Sequence, residues 1–358
     1  MKKPTGKQAA AACAVAVLLV AVLSVIWIWQ RGDSGGKQVP VTKYTEAELS
    51  AWIADWQWET GTDDLRQLAG GLEELQLFAA YFDQDDNLYF TADFTEALPR
   101  IMETAEENKL SRTGLTVVND RFNADGTTVQ KDPELVSRLI ATEESRNRHI
   151  AQIIDAVSRY GLSGVEIDYE KMNKGDWDKL SLFFQELYER LRQEGKTLRI
   201  VLEPGAPVQS VDLPEGPAYV MMAYNLYGGH SGPGPKADFN MIRKLADRMS
   251  HVPGERVLAF SAGGFDWAKT GKVTALTEKG AAELAAQNEA APQRDAASGS
   301  VHFDYVDESG VRHTVWYGDE VTISGWIDAT LEAGISKVAL WRLGELGPET
   351  LQHLKGNP

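Results

Sequence analysis

The segment Gly161-Leu-Ser-Gly-Val-Glu-Ile-Asp-Tyr-Glu170 sets three carboxylic acids at every second position. Successive side chains on a β-strand point to opposite faces, so Glu166, Asp168 and Glu170 share one face and Val165, Ile167 and Tyr169 the other. Neighbours two apart lie roughly 7 Å from each other. Ionising all three in a partly enclosed site is costly, and at least one should keep its proton near neutrality. A carboxylic acid held protonated is what a departing glycosidic oxygen requires, so this strand carries the chemistry of a general acid. A solvated or ion-paired strand face is the competing structural account, and the apolar residues flanking the acids argue against it.

Short apolar runs alternating with longer amphipathic stretches would position such a strand, the pattern of a parallel sheet with crossover helices. Strands are expected at 51–58, 75–81, 115–119, 164–169, 198–202, 219–223, 257–260 and 337–341, with helices at 63–72, 95–108, 144–160, 176–193, 240–249 and 323–333. No helix is evident after the fifth strand. Eight strand units over residues 47–358 point to one α/β fold, a (β/α)8 TIM barrel, rather than two domains. The surplus lies at about 263–320, where a helical stretch and the alternating run VHFDYVDESGVRHTVWY, turning at Glu-Ser-Gly, read as an α+β insertion between strands seven and eight. Barrels of this kind put their chemistry at strand C-terminal ends.

Lys and Arg number 36 against 52 Asp and Glu, a formal charge of -16, which repels phosphate backbones and makes nucleic acid an unexpected partner. The sole cysteine, Cys13, permits no internal disulfide, and the six histidines show no ligand spacing, so neither metal nor cofactor is expected. Residues 1–8 are basic and precede a charge-free apolar stretch at 9–29, long enough for a transmembrane signal-anchor. Residues 30–46 then read as a linker. The stretch ends in Ile-Trp-Ile-Trp rather than in the small residues of a cleavage site. A single-pass protein at the cell membrane with its barrel outside the cytoplasm is therefore expected, or a secreted one if the segment is cleaved.

The acidic strand resembles the signature of glycoside hydrolase family 18, Asp-x-x-Asp-x-Asp-x-Glu. The resemblance implies that Glu170 is the general acid and that Asp168 orients the substrate's N-acetyl group. Glu166 stands at the family's second Asp and Ser163 at its first. The run AYVMMAYNLYGG resembles the family's Met-x-Tyr-Asp motif and implies that the Tyr224 hydroxyl holds the acetamido carbonyl, with Asn225 in place of the Asp. The run KVALWRLGELG resembles the family's last strand and makes Trp341 the apolar floor beneath the sugar. The likeness covers about Ala51 to Leu346. It implies substrate-assisted hydrolysis with retained configuration, a monomer, and an N-acetylglucosamine-containing polysaccharide such as chitin or cell-wall glycan as partner.

Glu166, Asn225, Tyr81 and Trp56 join Trp341 as candidate substrate contacts, and Trp58, Trp267, Asn119 and Glu203 are strand-end residues of lower rank. Two other classes of function stay open. A glycan-binding barrel without turnover would bind oligosaccharide but release no reducing ends. A cell-wall scaffold acting through 263–320 would lose its function, but not glycan turnover, when that segment is deleted.

Overall fold

The computed structural model describes residues 47–356 except 69 and 111. The expected basic N-terminus, membrane span and linker lie outside the described residues. Among the described residues no helix is long and apolar enough to cross a membrane.

Eight parallel strands close into a barrel: β1 (Glu48–Ala54), β2 (Glu74–Phe82), β3 (Thr113–Phe122), β4 (Gly164–Asp168), β5 (Thr197–Leu202), β6 (Ala218–Met222), β7 (Glu255–Ser261) and β8 (Lys337–Trp341). Each pairs with its sequence neighbour, β7 and β8 doing so across the insertion, and β8 closes the ring on β1. Six main helices cover the outside: α1 (Trp58–Gln67), α2 (Ala92–Glu107), α3 (Glu143–Arg159), α4 (Trp177–Gln193), α5 (Phe239–Met249) and α6 (Glu320–Glu332). Thr91, Thr142, Asp238 and Asp319 start four of them by accepting a backbone N–H three residues on, which fixes where each crossover turns back onto the sheet. The connection from β5 to β6 has no helix.

The strand alternation divides the core in two. Val165, Ile167 and Tyr169 pack outward against the helices in the main apolar cluster. Trp52, Val201, Val220, Met222, Val257, Ala259 and Ala339 fill the barrel interior, joined from above by Phe78, Tyr224 and Trp341. Residues 263–318 form a five-stranded antiparallel sheet, ordered 273–276, 263–268, 312–318, 301–306 and 293–294. Helix 278–287 buries Ala281 and Ala285 against Val301, Phe303, Val315 and Tyr317 of that sheet.

The first unit departs from the sequence expectation. Strand one ends at Ala54 rather than at residue 58, and the first helix begins at Trp58 rather than at 63. Asp55 ends the strand by accepting the Trp56 N–H at 2.9 Å together with the hydroxyls of Thr91 and Tyr81. In α1 the polar Asp64 is buried because its Oδ2 accepts the N–H groups of Gly344 and Leu346, at 2.7 and 3.1 Å, from the loop after β8. A carboxylate on the inward face broke the apolar periodicity from which the helix was read. Trp58 therefore packs on the outer core and not at the barrel mouth.

Candidate active site

The strand register sets Thr116 of β3, Glu166 of β4 and Arg199 of β5 side by side inside the barrel. Glu166 is fully buried, and its two oxygens accept from Trp52 Nε1 at 2.5 Å, Thr116 Oγ1 at 2.9 Å and Arg199 Nε at 2.9 Å. Arg199 also reaches Glu74 at 3.2 Å and lies 5.4 Å from the Trp52 ring centre. Burial pushes the Glu166 carboxyl up, against the opposing guanidinium and its hydrogen-bond donors. With no exposed surface, Glu166 touches protein on every side. The expectation that it contacts substrate is corrected accordingly: it underlies Asp168 electrostatically.

Two residues on, Asp168 lies between the other two acids. Burial raises its pKa well above the ordinary range, and the negative charges of Glu170 and Glu166 raise it further. Its Oδ1 is buried with no hydrogen-bond partner among the described residues. Glu170 follows just past the strand end, where Asn119 of β3 grips its backbone: Asn119 Nδ2 donates to the Glu170 carbonyl and Asn119 Oδ1 accepts its N–H, both at 3.0 Å. Burial also lifts the Glu170 pKa, and Lys131 opposes this by hydrogen bond and charge. The Lys131 backbone N–H is held by Asp120 Oδ1 at 2.7 Å, so the loop after β3 delivers an ammonium to the acid. Glu203, after β5, accepts the Lys171 N–H at 2.7 Å and adds negative charge near Glu170.

Tyr224, just after β6, is raised well above the usual phenol range, first by burial and then by the charges of Asp168, Glu170 and Glu166. It borders a cleft of about 430 Å³ that Trp341 and Asn225 also line. Neither Asp168 nor Glu170 walls that cleft, so Tyr224 is the side chain linking the acidic cluster to it. The Trp341 indole is held edge-on by Phe78 at 4.7 Å and Trp52 at 5.8 Å, with Trp56 at 6.5 Å. Such an apolar floor beside polar groups suits the C–H face of a sugar.

Of the other candidates, Trp56 is exposed at the mouth and Asn225 is exposed with a left-handed backbone (φ 62°), a conformation asparagine tolerates. Tyr81 is buried and spends its hydroxyl on Asp55, so it supports the wall rather than offering a free donor, contrary to the substrate role expected of it. Trp267 lies in the insertion sheet, donating to the Gly228 and Ser231 carbonyls. Among the described residues no group of three or more His, Cys, Asp or Glu is placed to hold a metal.

Sequence reasoning missed Lys131, Arg199 and Lys236. Arg199 stands on a strand whose alternation could have flagged it as inward-facing. Lys131 and Lys236 come from loops, and nothing in their local sequence distinguishes them. Lys236 sits in the cleft wall with Nζ donating to Ser261 Oγ and the Ala262 carbonyl, both at 2.8 Å.

Removing the ammonium beside Glu170 gives a prediction with a definite sign. Lys131 favours the charged carboxylate, so in Lys131→Met the Glu170 pKa rises further and the acid stays protonated to higher pH. On the expectation that Glu170 is the general acid, the alkaline limb of the kcat/KM profile, which reports the essential acid of the free enzyme, should move to higher pH. An unmoved limb would mean that Lys131 does not hold Glu170 in solution.

The fold and motifs match known proteins. The chain superposes on the spore cortex-lytic enzyme SleL of Bacillus cereus with TM-score 0.73 at 22% identity, covering 87% of this chain and 74% of that one. It superposes on a chitinase of Chromobacterium violaceum with TM-score 0.73 at 19% identity, covering 86% and 98%. At these identities the likeness speaks for the fold. By sequence it is 25% identical over 314 residues to the cortical fragment-lytic enzyme of Bacillus anthracis, covering 78% of this chain and 67% of that protein. It is 27% identical over 226 residues to a Bacillus subtilis protein named as a sporulation-specific glycosylase, YdhD, covering 59% of this chain. The chain spans about half that relative's length, 54%. The sequence profile of glycosyl hydrolases family 18 matches residues 129–345, well over half the chain and inclusive of Asp168, Glu170, Tyr224 and Trp341. On that match, carried by a barrel that superposes on solved structures of the same fold, this chain belongs to glycosyl hydrolases family 18.

Proposed function

We propose that this barrel is a retaining, substrate-assisted glycosidase acting on β-linked N-acetylhexosamine glycans. The observation that carries the reading is Asp168: a carboxyl pushed toward its protonated form by burial and two flanking acids, with one buried oxygen unpartnered beside Tyr224. Such a group is made to meet a polar ligand that the protein itself does not supply, since buried polar atoms otherwise find partners.

In this reading the sugar lies on Trp341 with its acetamide between Asp168 and the Tyr224 hydroxyl. Glu170 protonates the leaving oxygen while the acetamide carbonyl oxygen attacks the anomeric carbon, closing a cyclic intermediate as the glycosidic bond breaks. Glu170, now a carboxylate, takes a proton from water, which opens the ring with a second inversion and so retained configuration. Lys131 must yield Glu170 for the first step, and it stabilises the carboxylate left by that step.

The substrate class follows from the relatives' names, which concern spore cortex and chitin, and from the N-terminal segment. Residues 9–29 are proposed to anchor the chain with the barrel outside the cytoplasm, which favours cell-wall glycan over bulk chitin. Mass spectrometry of products from purified peptidoglycan and chitin oligomers, with NMR of the first-formed anomer, tests bond, substrate and stereochemistry together. A first product of inverted configuration refutes the acetamide mechanism, and binding without any product leaves a glycan-binding barrel. Tyr224→Phe is expected to lower kcat by about 10²-fold, as the loss of one preorganised donor does. An effect confined to KM would show that the hydroxyl binds substrate and transition state equally.

A further inference from the structure

Lys236 and Arg342 line the cleft that Trp341 also borders, and the Arg342 charge is close enough to act on Lys236. Two of the three Lys236 Nζ donors are taken by Ser261 Oγ and the Ala262 carbonyl, neutral acceptors both. Its ammonium lies 5.1 Å from the Phe265 ring centre. Arg342 donates Nη1 to the side-chain oxygen of Gln57 and lies 5.5 Å over the Trp56 ring. Among the described residues neither cation makes an ion pair. Two acids line the same cleft. Glu278 accepts from Thr350 Oγ1 and from neither cation, and burial pushes its pKa up to about 7. Glu345 is engaged by Thr277 Oγ1 at 3.0 Å and acts on Arg342 only at longer range.

Two neighbouring cations partly withdrawn from water, neither of them in an ion pair, are an unfavourable arrangement. Its cost is visible at Lys236, whose pKa is lowered to about 7, first by burial and then by the Arg342 charge. In a chain of net charge -16 the surrounding field disfavours a polyanion while leaving room for one acidic group. A guanidinium fork beside an ammonium fits the planar, two-oxygen geometry of a carboxylate. The adjacent indole supplies a surface for a sugar ring.

We propose that this part of the cleft is a subsite for a carboxylate-bearing hexosamine, with the carboxylate bound between Lys236 and Arg342. The inference rests on the reading of the barrel as a binder of amino-sugar chains and adds which sugar it selects. A lactyl ether on a hexosamine and a neighbouring hexuronate both present the required group. A neutral N-acetylglucosamine chain leaves the two cations unmatched.

The test compares three oligosaccharides of equal length on the full chain: alternating N-acetylglucosamine and N-acetylmuramic acid with free lactyl carboxylates, the same chain with those carboxylates amidated, and a neutral N-acetylglucosamine oligomer. The free acid should exceed its amide in kcat/KM by about tenfold or more, as hydrogen bonds to a charged partner warrant, with the difference in KM. Lys236→Met and Arg342→Gln should each collapse that ratio toward one. If Arg342→Gln fails to fold, Lys236→Met alone decides. Equal kcat/KM for acid and amide in the unmodified protein, or a ratio that survives Lys236→Met, overturns the subsite. A hexuronate-containing oligomer that binds as tightly as the muramic chain would keep the subsite and assign it to uronates. Calorimetry on Glu170→Gln separates the two readings. Selective binding of the free acid without turnover by the unmodified protein would remove the proposed hydrolysis and retain the subsite, while turnover without preference would do the reverse.

Discussion

Glu170→Gln is expected to lower the release of reducing ends from N-acetylhexosamine oligomers by about 10³-fold, within the range a general acid contributes. Glutamine preserves the shape and the backbone clamp from Asn119, so the barrel should keep its unfolding midpoint and its affinity for oligosaccharide. The loss should fall on kcat, because proton delivery belongs to the transition state. Glu170 is suited to the task by its surroundings: burial raises its pKa, and Glu203 and Asp120 add negative charge that opposes ionisation. A variant retaining a tenth or more of the activity would move the acid to another residue, and Asp168 is the neighbour whose proton is held more tightly.

The largest stability effect is expected beneath the site, at Arg199. Arg199→Met leaves Glu166 fully buried with only Trp52 and Thr116 as partners and leaves Glu74 without its cation. Breaking one side of a buried ion pair costs about 3–5 kcal/mol, measurable by urea unfolding. The pH dependence has a fixed sign. With the guanidinium gone, burial is less opposed, so the folded-state pKa of Glu166 rises further above its unfolded value. Folding then binds a proton that the unfolded chain has released, and the deficit relative to the parent grows as pH rises from the ordinary glutamate range to neutrality. Adding Glu166→Gln removes the orphaned charge and should recover part of the loss. A penalty under 1 kcal/mol, or one that shrinks with rising pH, would show that the Arg199–Glu166 contact does not hold this core together.

Both effects concern one strand and bear on how the site is built. Glu166, Asp168 and Glu170 share a face, yet each meets a different environment. Glu166 is satisfied from three sides, Asp168 has a buried oxygen without a partner among the described residues, and Glu170 is clamped by its backbone and tethered to Lys131. A gradient from a fully partnered acid to one held mainly by its backbone runs along β4 and past its end, and on the proposed function it separates a structural acid from a reactive one.

Much of this was legible in the order of residues alone. The period of two along 164–170 determined which acids face inward, because strand geometry leaves no alternative. The eight apolar runs determined a barrel, because each strand is buried on both faces and must read as a short apolar block. The tertiary structure alone decided which partner each acid meets, since those partners are distant in sequence: Trp52 is 114 residues from Glu166 and Lys131 is 39 from Glu170. It also decided the phase of the first helix, where Asp64 turns inward to satisfy the loop after β8. The pairing of Lys236 with Arg342 has the same origin. Local chain geometry repeats with a period that can be read along a sequence, whereas desolvation and charge compensation depend on which segments the closing barrel brings together.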